Sequence, residues 1–146
     1  MIFFNHISNF FTKKHSLLVI TFLLSLSLFS ANNNLWQNQI PRGIITSIKT
    51  GDAKTLANYF KPTIELIVIQ TTNIFSKAQA KIILNDFFTR HKPTDFKIIH
   101  TGKSDDSLYA IGTLKTEDNV FRVYFLLKTK DKTQYIEQLR IEYENE

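Results

Sequence analysis

The 146 residues contain no cysteine, and few of the residues that bend or anchor small folds: four glycines, three prolines, one tryptophan and one methionine. Without thiols there can be no disulfide framework, no thiolate metal site and no cysteine nucleophile. There is likewise no cysteine to carry a lipid, so a product freed of a leader is expected to be soluble. Blocks of like charge are also missing. The 18 Lys+Arg and 13 Asp+Glu give a net charge of +5, and the longest basic pattern is the alternating Lys128, Lys130 and Lys132. Electrostatic binding to nucleic acid needs a clustered basic face, so no nucleic-acid partner is expected. His91 and His100, the histidines beyond the N-terminal stretch, do not share metal-ligand spacing. No metal and no cofactor is expected.

The most informative segment that is present is Leu17–Phe29, an apolar run of 13 residues behind Lys13 and Lys14 and ahead of Ser30-Ala31. A short positive segment, a hydrophobic block and small residues after it describe an export signal. Roughly 17–25 apolar residues are needed to cross the hydrocarbon core, and this run is shorter. Leu28 and Phe29 depart from the A-x-A form of a cleavage site, which leaves an uncleaved anchor as the alternative. Residues 1–31 are read as a signal peptide, with cleavage near Ala31 or Asn32. The protein is therefore expected to be periplasmic or secreted, with no membrane contact after cleavage. Asn32–Gln39 is polar and asparagine-rich and reads as a flexible lead, in which Trp36 is the one docking candidate. Residues 40–146 are long enough for one compact domain.

Within that domain, Pro41, Ile44, Ile45 and Ile48 fall at helical spacing, with Pro41 in the first turn and Gly51 as the stop. Asp52 is the N-cap of a second short helix through Ala53, Leu56, Ala57 and Phe60, closed by Pro62. Thr63–Ile69 is β-branched and apolar on both faces and reads as a buried strand. Gln70–Asn73 reads as a turn. Ser76 and Gln79 have capping-box spacing ahead of a one-sided stripe of Ala80, Ile83, Leu84, Phe87 and Phe88, which predicts a third helix, ended by Pro93. Four strands follow, over Asp95–Thr101, Leu108–Thr116, Val120–Lys128 and Gln134–Tyr143. Helices first and antiparallel strands afterwards make an α+β layer, with three helices packed on one face of a curved sheet.

A two-residue Asp118-Asn119 turn sets Leu114 opposite Val123, Gly112 opposite Phe125 and Ala110 opposite Leu127, leaving room for a helix over the small residues. A three-residue Asp131–Thr133 loop pairs Phe125 with Leu139, Val123 with Ile141 and Phe121 with Tyr143. A slip of one residue would exchange the two faces. The face opposite the helices then holds Arg122 across from Glu142 and Tyr124 across from Arg140, with Leu126 and Gln138 beside them.

This order of elements resembles the nuclear transport factor 2-like (cystatin-like) fold, a cone of curved sheet wrapped over helices. The motifs Gly51-Asp52-Ala53, Ser76-Lys77-Ala78-Gln79-Ala80, Leu84-Asn85-Asp86-Phe87-Phe88, Ile111-Gly112-Thr113-Leu114, Phe121-Arg122-Val123 and Gln138-Leu139-Arg140-Ile141 are similar to a bacterial family of small secreted proteins of unknown function. The similarity covers about Ile40–Glu142. It implies a fold and an export signal, and no activity, because the wider fold hosts enzymes, ligand binders and dimeric adaptors.

Catalytic members of that fold place a carboxylate or a His–Asp pair inside the cone, and the candidates here are Glu65, Asp86, Asp95, Glu137 and His100. Alternation along Ile98–His100 allows His100 to point inward as a base. Glu65, flanked by Ile64 and Leu66, is either held inside or sent to solvent. Gly102-Lys103-Ser104 is not a phosphate-binding loop, because Lys97 stands where its first glycine belongs and a strand follows. Tyrosines need a partner for the hydroxyl, which makes Tyr59, Tyr109 and Tyr124 pocket or interface candidates, with Arg122, Gln138 and Arg140 around Tyr124. The leading expectation is an exported, non-enzymatic domain that binds a ligand or protein partner and pairs with itself through the sheet. The alternative is a small cone-cavity lyase or isomerase using His100 or Glu65.

Overall fold

In the computed structural model, residues 39–144 are described. Residues 1–31, read above as a signal peptide, Trp36 and all of the polar lead except Gln39 lie outside them. Three helices and six strands follow in the order α1 (Arg42–Thr50), α2 (Ala53–Ala57), β1 (Phe60–Val68), β2 (Thr71–Ser76), α3 (Lys77–Arg90), β3 (Pro93–Ser104), β4 (Ser107–Thr116), β5 (Val120–Lys130) and β6 (Thr133–Tyr143). They build one six-stranded sheet ordered β2-β1-β6-β5-β4-β3, antiparallel throughout except for the β1–β6 pair.

The α1–α2 unit forms as the sequence predicts at its turn. Gly51 takes φ 70°, and its N–H and that of Asp52 donate to Ile48 and Ser47 carbonyls, which closes α1 in a left-handed cap. The Asp52 carboxylate then accepts from Thr55 N–H at 2.9 Å and opens α2. The predicted end of α2 is wrong: the helix stops at Ala57, and Phe60 already belongs to β1. Pro62 therefore lies inside a strand. It is accommodated because the β1–β6 register slips between Phe60 and Glu65, and a slipped stretch needs no ladder donor from proline.

The segment read as a turn is also different. The chain reverses at Ile69-Gln70, and the polar Thr71–Ser76 is an edge strand. Five of its six residues are exposed, so pairing with β1 holds it in place, and burial leaves no periodic signal in its sequence. α3 has both halves of the capping box, and it buries Ala80, Leu84, Phe87 and Phe88 against the sheet.

Two hairpins differ from expectation in instructive ways. In β4–β5, Leu114 pairs with Phe121, Gly112 with Val123 and Ala110 with Phe125, two positions from the expected register. The Thr116 hydroxyl accepts from Asn119 N–H, and the two residues also bond through their main chains, so the turn is Glu117-Asp118. A shift of two preserves both faces. Space over Gly112 is filled by the Phe96 ring instead of a helix, since a Cβ there would lie 2.5 Å from that ring. In β5–β6 the predicted pairs Phe125–Leu139, Val123–Ile141 and Phe121–Tyr143 all form. The loop, however, has two residues, Asp131 and Lys132, at φ 51° and 64°. The extra residue sits instead in a bulge at Glu137, between Ile136 and Gln138.

The core lies between helices and sheet. Phe87 is 1% exposed, and its ring meets Phe121 edge-on at 5.1 Å and Phe88 at 5.4 Å. Among the described residues the only buried polar side chain is that of Ser47.

Candidate functional site

The strand registers sort the face away from the helices into rows running across the sheet. One row joins Ile74, Glu65, Gln138, Leu126 and Tyr109. The next joins Thr72, Ile67, Arg140, Tyr124, Ile111 and His100. A third holds Glu142, Arg122 and Thr113. Six of the sequence-nominated residues, His100, Glu65, Tyr109, Tyr124, Gln138 and Arg140, thus stand in two adjacent rows, and Arg122 borders them.

His100 does not point into the cone. Ile98 pairs with Gly112, but His100 pairs with Ile111, so Ile99 is an extra residue that breaks the alternation. The bulge turns His100 outward, where it is exposed and its Nε2 lies 3.1 Å from the Tyr109 hydroxyl. Glu65 is exposed on the same face. A cone-interior acid or base made from either residue is therefore not what the fold builds. The other carboxylates are on the surface too. Asp86 pairs with Arg90 along α3. Asp95 pairs with Lys49 at 2.8 Å, a contact that holds its carboxyl below the usual range. Glu137, raised on its bulge, receives Lys61 at 2.7 Å and Lys128 at 2.9 Å, and these two bonds lower it likewise. Tyr59 is apart from the others: it packs against the core, with its hydroxyl where a side chain on Gly43 of α1 would otherwise be.

The centre of the outer face is aromatic. The Tyr109 and Tyr124 rings stack with centroids 6.2 Å apart, and His100 continues the line at 5.7 Å from Tyr109. Burial, followed by the neighbouring Tyr109, pushes the Tyr124 phenol above its ordinary value of 10.0, so it is a hydrogen-bond donor at neutral pH. Beside it lies a depression of about 400 Å³ lined by Ile111, Arg122, Tyr124, Gln138, Arg140 and Glu142. Arg122 and Glu142 also line a second depression, of about 450 Å³, with Ile69, Gln70 and Tyr143. The arginines are only loosely tied: Arg122 is 3.8 Å from Glu144 and Arg140 is 3.7 Å from Glu142. Among the described residues these are their only ion pairs, so most of the five donors of each guanidinium are left for another molecule.

Sequence reasoning missed Ile111, Ile74 and Ile67 on this face. Ile111 was within reach, as the neighbour of the core-facing Gly112. Ile67 is 4% exposed, although its face is the outer one. The arrangement offers stacked rings, aliphatic ground between them and charged groups of both signs around the edge. Among the described residues no group of three His, Cys, Asp or Glu side chains is placed to hold a metal ion.

The family model for a domain of unknown function, DUF4783, matches residues 41–142, and the chain belongs to that family. Its fold is the nuclear transport factor 2-like, or cystatin-like, one. A crystal structure of a DUF4783 protein from Bacteroides ovatus is 36% identical, with TM-score 0.69, and the match covers 73% of this chain and 97% of that one. A second, from Bacteroides uniformis, is 31% identical with TM-score 0.69 and coverage of 73% and 99%. A domain of unknown function with a cystatin-like fold from Nostoc punctiforme, at 13% identity, shares the fold with TM-score 0.59 and coverage of 72% and 73%. None of the curated proteins matches the sequence.

Proposed function

We propose that this protein is an exported domain, cleaved near Ala31 or Asn32, that acts by binding and not by catalysis. Its outer sheet face is the recognition surface, and the first occupant of that face is a second copy of the chain. The observation that carries this reading is the Tyr109–Tyr124 stack, with Arg122, Arg140 and Glu142 around the adjoining depression. Tyr and Arg are the residue types enriched where interfaces are strongest, and a polar rim around an aromatic centre is the usual anatomy of such a surface. Charges of both signs on one face favour pairing with an identical face, because a two-fold brings each sign within reach of the other. The same balance speaks against a nucleic-acid partner.

The double substitution Tyr124→Glu with Arg140→Glu tests the proposal. Neither side chain belongs to the core, so folding by circular dichroism and the urea midpoint should stay close to those of the unmodified chain. Association measured by light scattering should disappear. A double variant that associates as tightly as the unmodified chain would place the recognition surface elsewhere.

A further inference from the structure

Among the described residues β2 is the last strand at one side of the sheet, and its outer edge carries a second, independent feature. Successive residues of a strand turn their main-chain groups to opposite neighbours. Ile69 N–H donates to Ile141 O of β6 at 2.8 Å, so Glu65 and Ile67 face β6, while Ile64, Leu66 and Val68 face β2. Their partners Phe75, Asn73 and Thr71 are the bonded residues of β2. Thr72, Ile74 and Ser76 therefore turn their main-chain groups toward the edge of the sheet.

An open edge invites another strand, and proteins usually blunt it with charge, proline or a bulge. The opposite edge, β3, has Pro93, Lys97, Lys103 and the bulge at Ile99. β2, Thr-Thr-Asn-Ile-Phe-Ser, has none of these. It has side-chain caps instead. Ile74 N–H donates to the Asn73 side-chain oxygen at 2.8 Å, and Ser76 N–H donates to that of Gln79 at 3.1 Å. Two of the three outward N–H groups are occupied within the chain.

We propose that Asn73 is a built-in block on edge-to-edge pairing of two copies. An antiparallel pairing of β2 with itself about a two-fold at Ile74 sets Ile74 opposite Ile74 and Thr72 opposite Ser76, all residues with outward main-chain groups. Ile74 is 69% exposed, so its side chain would gain apolar contact with its equivalent. At that axis the Asn73 oxygen holds the central donor of each copy. Removing the acceptor frees both donors at once and joins the two sheets into one.

The test uses the full-length chain and, separately, the Tyr124→Glu, Arg140→Glu variant, with each Asn73 substitution compared with its own parent by light scattering. Asn73→Val removes the acceptor and favours the extended backbone, and the mass should rise about twofold in the Tyr124→Glu, Arg140→Glu background and at least twofold in the other, where each copy then has two pairing surfaces. Asn73→Ala, which removes the acceptor with the least change in shape, should do the same. Asn73→Asp keeps an acceptor and should leave the mass at its parent's. Adding Ile74→Lys to Asn73→Val should bring the mass back. The proposal is overturned if Val and Ala variants keep the parent mass over the concentration range, or if Asp gains mass as they do. Failure of the face reading shows separately, as equal masses for the two parents.

Discussion

Phe87 is the side chain on which the helix–sheet contact turns. It projects from α3 between Phe88 and His91 and meets Phe121 of β5, with its ring centroid 5.4, 5.0 and 5.1 Å from theirs. It is 1% exposed, so truncation to alanine leaves a hole that the surrounding rings, tied to a sheet on one side and a capped helix on the other, close only in part. A buried Phe→Ala change costs about 3–5 kcal/mol in lost transfer energy and residual cavity. At about 4–8 °C per kcal/mol for a domain of this size, the melting temperature should fall by at least about 12 °C. Lys81, on the solvent side of the same helix, is exposed, and Lys81→Ala should stay within about 0.5 kcal/mol. Urea titrations followed by tryptophan-independent circular dichroism give both numbers, and an unchanged slope confirms that stability moved and not the unfolded ensemble. Equal losses at Phe87 and Lys81 would mean that α3 presents another face to the sheet, and the reasoning would fail.

Asp118 sets an acid limb. The Thr116 hydroxyl above all, with His91 and Asn119 adding to it, holds its carboxyl at about 2 against an ordinary 3.8. A depressed value means that the unfolded chain takes up the proton first, so this contribution is complete above about pH 4 and is lost as the pH falls toward 2. In Asp118→Ala the stability deficit measured at pH 6 should shrink as titrations approach pH 2, and a deficit constant across that range would contradict the assignment. Export predicts that protein recovered from its native host begins near Ala31 or Asn32 on N-terminal sequencing. Recovery of intact Met1 in a membrane fraction would favour the uncleaved anchor.

Much of the fold was legible because it is written in burial. The Ser76/Gln79 capping box and the stripe ending in Phe87 and Phe88 give α3 directly, since a helix packed on one side repeats its apolar residues at the turn period. The β5–β6 pairing was legible for a partly wrong reason. Core alternation fixes which residues oppose, while loop length and bulge compensate for each other: a two-residue Asp131-Lys132 turn with Glu137 extra gives the same register as a three-residue loop. What stayed hidden is written in hydrogen bonds. β2 is a strand because β1 pairs with it, and its polar residues carry no period. The facing of His100 depends on Ile99 as an extra residue, and one residue is enough to move a side chain from core to surface. The outer-face cluster was therefore legible from its residue types, Tyr, Arg and Gln, whereas the placing of His100 and Glu65 beside it required the registers.

The most direct test of the central claim is the mass of the unmodified chain as its concentration is raised, followed by light scattering in solution. A recognition face whose first occupant is a second copy predicts a transition from monomer to dimer that stops there, because a two-fold pairing uses the face completely. A chain that remains monomeric at the highest concentration reached would contradict it.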